Sequence, residues 1–247
     1  MPSLPLKPWP AIHAVGFGGL LVRFGEKLSE PANRAALAFR AALDRVTPEG
    51  VEESSTSLVS CFVRFDPLAV DLDRLMARLQ ALLDERDWYA APLPEGRKFW
   101  RIPTVYGTDL APQLAEAASV AGLTEAAAIQ SLSTSRVRVQ TIGFAPGMPY
   151  LGALPDAWDI PRLTDLTPNV PAGGLAVAIR QLVLFPVATQ TGWRQVGQTA
   201  MQLFRPDSDA PFVLRPGDEV LFPAVSRETY ERMRTAPDGG ATFEVLP

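Results

Sequence analysis

The stretch IGFAPGMPYLGALPDAWDIPRLTDLTPNVPAG, residues 142–173, decides how this chain is read. Its prolines and glycines are interleaved with Phe144, Met148, Tyr150 and Leu151, where an ordinary surface loop would carry Ser, Asn, Asp and Lys. Proline fixes φ, and glycine permits positive φ and close backbone approach, so such a segment orders at small entropic cost and can bury aromatic rings. Two readings stay open. The stretch closes one end of a barrel, or it forms the preformed wall of a ligand or partner site.

Working outward, the character of the chain changes here. A strand at 137–142 leads in, and short strands alternate with turns afterwards, at 175–179, 182–186, 193–196, 201–204, 219–222 and 243–245. Pro216-Gly217-Asp218 is a strong turn signal. Regularly spaced short strands indicate a barrel or sandwich, and the only helix expected after residue 136 is at 226–234. Upstream, helices and strands mix. Four prolines in residues 1–10 suggest an irregular arm. Strands are expected at 19–24, 51–57 and 58–65, with Cys61, Val63 and Phe65 on one side of the last. Helices are expected at 33–46, with Ala36, Phe39, Leu43 and Val46 on one face, and at 71–85, capped by Asp71. A strand at 99–106 carries Pro103, which marks an edge or a bulge. That order, β-α-β-β-α-β, predicts a ferredoxin-like split βαβ pattern. Short helices at 111–121 and 125–132 follow. The fold class is α+β, with an α/β domain over 1–95 and a mostly β domain over 96–247.

The 247 residues suffice for two modest cores, and 47% hydrophobic with 20% charged residues places the chain among globular proteins. A net charge of −4 without a Lys/Arg run argues against a nucleic-acid surface. No apolar run is long enough to span a bilayer, and the first ten residues lack a signal peptide's apolar core, so a cytoplasmic location is the default. One cysteine and one histidine rule out a Cys/His zinc site and a disulfide framework, and no metal site is expected. Cys61, in LVSCFVRF, is expected as a buried strand residue and His13, in AIHAVG, as a structural histidine at a strand start. No nucleotide-binding loop is present; Gly16, Gly18 and Gly19 only lead into a strand.

The order GFAPGMPYLG (143–152), PR (161–162), VPAGG (170–174), GW (192–193), Gly-x-Thr at 197–199 and LRPGDEVLF (214–222) resembles the family of 5-oxoprolinase B subunits, also called KipI-like or allophanate hydrolase subunit 1. It is also similar to part of the carboxyltransferase region of urea carboxylase. GGLLVRFG (18–25), ANR (32–34), VRFDP (63–67) and IPTVYGTDLAPQLAEAA (102–118) extend the likeness over nearly the whole chain. The resemblance implies a cyclophilin-like β-barrel after the α/β domain. It also implies work with a sister C-type subunit of the carboxyltransferase family and with an A-type subunit, and ATP-driven opening of 5-oxoproline to glutamate. One branch of the family instead inhibits a histidine kinase. Neither cyclophilin-like architecture nor the lone His13 makes the chain a prolyl isomerase.

Several positions depart from the family pattern. Leu132 replaces a histidine, Val59 an arginine, Leu166-Thr167 a second Pro-Arg pair, and Gln198 an arginine before the threonine; Leu182 and Val183 interrupt a QTG motif. Each change removes a charge or a polar group, or replaces a glycine. Ring-opening needs an activated carbonyl, and a cationic clamp would steady its phosphoryl group. By resemblance, Arg162 is the surviving clamp, with Gln181 and Thr199 as hydrogen-bonding partners. The binding wall would be Gly143, Phe144, Pro146, Gly147, Tyr150, Pro171, Ala172, Gly173, Gly192 and Trp193. Backbone N–H groups near Gly143, Gly147 and Gly173 could receive an anion. The lost polar residues equally favour a regulatory protein that binds a partner through 143–152.

Overall fold

The computed structural model describes residues 9–236 and 238–247; the expected arm lies almost wholly outside them. Alternation in GLLVR and SCFVRF puts Leu20, Val22, Cys61, Val63 and Phe65 into one core. Burial pushes the Cys61 thiol up to about 12, so it packs as an inert strand residue. The first unit ends at Pro94. It contains β1 (Ala11–Val15), β2 (Gly19–Arg23), α1 (Glu30–Val46), β3 (Val51–Ser57), β4 (Ser60–Phe65) and α2 (Leu72–Asp84). Its sheet has the order β1-β2-β4-β3, every neighbouring pair antiparallel.

Here the expected β-α-β-β-α-β order needs correcting. The strand assigned to 99–106 does not join this sheet, and the edge is taken by β1, ahead of the first expected strand. Gly16 at φ +62° reverses the chain between β1 and β2, so the edge strand pairs locally as a hairpin. His13 consequently sits mid-strand opposite Leu21, with its ring edge-on to Trp9 at 6.4 Å. The strand expected at 58–65 begins at Ser60, because Leu58 at φ +51° is in the hairpin turn. The buried Asn33 amide donates to the Leu58 carbonyl at 2.6 Å and ties the start of α1 to that turn. Ser29 caps α1 and Asp71 caps α2.

The second unit spans Glu95–Pro247. In chain order it contains β5 (Lys98–Arg101), β6 (Thr104–Tyr106), α3 (Leu114–Val120), α4 (Glu125–Thr134), β7 (Val137–Ile142), β8 (Pro149–Gly152) and a 3-10 turn (Asp156–Trp158). Then come β9 (Thr167–Val170), β10 (Gly174–Ala178), β11 (Gln181–Leu184), β12 (Thr189–Thr191), β13 (Arg194–Thr199), β14 (Glu219–Leu221), α5 (Arg227–Met233) and β15 (Thr242–Val245). Nine strands form one sheet, β15-β5-β14-β7-β8-β11-β10-β13-β6, and β9 pairs with β12. β5 lies beside one edge and β6 forms the other, yet only Ile102 and Pro103 separate them. The three Cα–Cα steps from Arg101 to Thr104 reach only about 10 Å, so the sheet curls and brings its β6 edge back toward β5 and the residues after β14, where Thr104 bridges Ala224. Pro103, which has no N–H to give, marks the break. The strand expected at 201–204 is absent; Phe204 makes an isolated bridge to Phe212, their rings stacked at 5.3 Å.

Both faces of the central strands are covered. Leu175, Val177, Leu182, Leu184, Leu151 and Val196 fill the main core with Trp158 and Leu132. Ala176, Ala178, Val183 and Phe185 face the other way and join Met148, Val170 and Trp193 in a separate cluster. That is why GLAVA and LVLF (182–185) read as unbroken apolar runs.

Asp218 anchors the turn before β14. Its carboxylate accepts from Lys98 N at 2.8 Å, Arg215 N at 3.0 Å and Trp100 Nε1 at 3.4 Å, while the residue is 3% exposed. Asp218→Asn turns an N–H group toward buried donors and should cost about 1.5 kcal/mol in chemical denaturation; an unchanged midpoint would show that these bonds do not hold the turn. Among the described residues no helix is long and apolar enough to cross a membrane.

Candidate functional site

The second apolar layer carries the cavity of interest. β8, part of the stretch expected as a loop, pairs with β7 and β11 and alternates Leu151 into the main core and Tyr150 outward. The segments 162–166 and 190–193 close over that outward face. A cavity of about 220 Å³ results, with Phe144, Tyr150, Arg162, Gly192 and Trp193 in its lining. These residues come from three separated motifs.

Trp193 is 5% exposed and meets Tyr150 edge-to-face, ring centroids 6.0 Å apart. Burial raises the Tyr150 hydroxyl above its ordinary value and the Arg162 guanidinium opposes the shift, so the phenol keeps its proton at neutral pH and can donate to an anionic oxygen. Arg162 is exposed at the mouth and has no ion-pair partner among the described residues. Gly192 lies against this segment: a Cβ there would stand 3.3 Å from the Leu163 carbonyl and 3.7 Å from Arg162 Nε. Phe144, at φ +71°, is 80% exposed beside the opening.

The expected trio of Arg162, Gln181 and Thr199 is not brought together. Gln181 is buried in the sheet and donates to Gln140 Oε1 at 2.6 Å, beneath Gly152, where a Cβ would meet that same amide at 2.8 Å. Thr199, Ala172 and Gly173 line a different and larger cavity. Gly143, Pro146, Gly147 and Pro171 are in neither lining. Two of the suggested anion-binding N–H groups are already committed, Gly143 N to Met148 O at 3.1 Å and Gly173 N to Phe185 O at 2.8 Å. Leu132 and Val59 are buried apolar residues of the two cores.

β13 carries residues whose part was missed. All of its positions are buried. Arg194 pairs with Glu116 at 2.8 Å and donates to the Pro161 carbonyl at 2.7 Å, which fixes the backbone just before Arg162. Gln195 N donates to Gln113 Oε1, and Gln113 also bonds Thr167. Gln195 Nε2 reaches Gln198, whose own Nε2 donates to the Ala172 carbonyl at 2.8 Å. Thr167 and Gln198, two of the departures from the family pattern, therefore belong to one hydrogen-bond network, half-buried at Gln113 and Thr167 and buried at Gln195 and Gln198. The available signal was a strand carrying Arg194, Gln195 and Gln198, long polar side chains on both of its faces, a pattern ambiguous without its neighbours. No group of His, Cys, Asp or Glu among the described residues could hold a metal ion.

A family model described as carboxyltransferase domain, subdomain C and D, matches residues 10–214. The chain is 40% identical over 157 residues to a protein named as the B subunit of 5-oxoprolinase from Escherichia coli O157:H7, covering 64% of this chain and 70% of that one. It is 28% identical over 233 residues to a protein of the same name from Bacillus subtilis, covering 89% and 94%. Among solved structures, a protein called TTHA0988 matches with a TM-score of 0.70 at 33% identity, over 84% of this chain and 40% of its own length. The K. lactis urea amidolyase matches with a TM-score of 0.72 at 17% identity, over 98% of this chain and 17% of its own, which is a likeness of fold. The chain thus spans less than half of either solved chain.

Proposed function

Because the chain belongs to the carboxyltransferase-domain family of the 5-oxoprolinase B subunits, we propose that it is a non-autonomous, cytoplasmic component of an ATP-dependent cyclic-amide hydrolase, opening 5-oxoproline to glutamate with a sister C-type subunit and an A-type subunit. The observation that carries this reading is the convergence of Phe144, Tyr150, Arg162, Gly192 and Trp193 on one cavity, with the Arg162 guanidinium making no ion pair among the described residues. At about 220 Å³ the space lies below the roughly 300–1,000 Å³ of sites for drug-sized molecules. It suits a small ring and not a nucleotide, so ATP binds outside it. When bound to the complex, ATP supplies the phosphoryl group that activates the amide oxygen. Arg162 then offsets the charge gathering on that oxygen. Tyr150 donates a hydrogen bond from its retained proton, and the Trp193 and Phe185 rings exclude water from one side.

The test is reconstitution. The purified chain alone is expected to show no 5-oxoproline-dependent ATP hydrolysis, and turnover should appear only with the partner proteins. Within that complex, Arg162→Gln should lower kcat about a hundredfold while the components still co-purify; an unchanged rate would sink the assignment. The 80% exposure of Phe144 supports a second reading, a regulator that grips a histidine kinase through this loop. Phe144→Ala abolishing kinase capture, with no partner-dependent turnover, would decide for it.

A further inference from the structure

The larger cavity, about 740 Å³, lies wholly within the second unit and falls in the size range of small-molecule sites. It is lined by the turn holding Gly173, by Thr199, by the loop with Arg205 and Ser208, and by Tyr230 and Arg234 from the end of the chain. None of the residues assigned to the ring-opening, Phe144, Tyr150, Arg162, Gly192 and Trp193, lines it. Its chemistry is that of a site for a charged ligand. Two arginines line the cavity, Arg205, whose Nε donates to the Gln202 carbonyl at 3.2 Å, and Arg234. Arg234 is held by Glu231 at 2.8 Å, but the two side chains are 58% and 40% exposed, a pair that exchanges easily for a stronger acceptor. Ser208 Oγ accepts from Ala210 N at 3.3 Å, which leaves its own O–H free to be donated. Thr199, 2% exposed, keeps a hydroxyl that bonds nothing among the described residues, a group that usually finds a partner when buried. One carboxylate, Asp207, shares the lining and would repel a bare polyanion while accepting bonds from ligand hydroxyls.

We infer that this cavity is a second ligand site, for a phosphate ester with a hydroxyl-bearing body, its phosphate held between Arg205 and Arg234 and its hydroxyls facing Asp207. Guanidinium groups suit phosphate oxygens through paired, charge-assisted bonds. A nucleotide and a sugar phosphate share that chemistry. The inference rests on this cavity alone and stands whether or not the ring-opening assignment does.

The experiment is titration calorimetry on the full chain with ATP, glucose 6-phosphate and inorganic phosphate as probes. Saturable binding of at least one ester, tighter than inorganic phosphate, is expected. Preference for ATP would identify a nucleotide and preference for glucose 6-phosphate a sugar phosphate. Arg205→Ala and Arg234→Ala should each weaken it at least about tenfold, with thermal melts confirming that both variants fold, and Arg162→Ala should leave it intact. The site is refuted if neither ester saturates at millimolar concentration, if binding survives both arginine variants, or if it is lost in Arg162→Ala.

Discussion

Gly173→Ala should destabilise the chain by on the order of 4 kcal/mol, enough to leave it poorly folded. Two effects add. Gly173 has φ +78°, where a side chain is strained, and an ideal Cβ would stand 2.3 Å from the Thr199 carbonyl and 2.8 Å from Gln198 Nε2. The first neighbour is backbone and cannot rotate away. Nor can the turn shift, since Gly173 donates to Phe185 O at 2.8 Å and accepts from Thr199 N at 2.8 Å. Gly122 is the control. It too has positive φ, +69°, but nothing lies within 4 Å of its would-be Cβ, so Gly122→Ala should cost only about 1 kcal/mol. Denaturant midpoints of the two variants measure the contrast. Equal costs would mean that the close approach of the 171–174 turn to Thr199 is not what demands glycine.

Trp193→Ala should cost about 3 kcal/mol, the lower end for a buried tryptophan. The ring belongs to the cluster of Met148, Val170, Ala176, Ala178, Val183 and Phe185 and loses its edge-to-face partner Tyr150 on truncation. The cost is not higher because one side of the ring already borders the 220 Å³ cavity, so part of the lost packing was never there. A change below about 1 kcal/mol would make Trp193 a site wall with no share in the core.

The helices of the first unit were legible because their signals are local. The Asp71 cap of α2 and the spacing of Ala36, Phe39 and Leu43 along α1 needed no distant partner to be read. The edge strand β1 was not, because an exposed hairpin partner carries little hydrophobic contrast: Ala14 and Val15 face solvent. The same limit acted on 143–152. Its proline and glycine content marked it as unusual, yet its second part, β8, is a sheet strand whose pairing with β7 and β11 is long-range.

The site divides in the same way. Arg162, Tyr150 and Trp193 line one cavity, whereas Gln181 and Thr199 lie outside its lining. Alternation along a strand specifies that neighbours point oppositely, but not what lies on either face. Leu182 and Val183 read as equivalent apolar residues and fill two different cores. By itself the sequence determined the order of most strands and helices, the change of character near residue 136 and the family motifs, since each depends on neighbours a few residues apart. The tertiary structure alone decided which motif residues share a cavity, that Arg194 holds the backbone just before Arg162, and which backbone N–H groups are already committed. Those outcomes depend on how a sheet curls and on contacts between segments dozens of residues apart, which spacing along the chain does not encode.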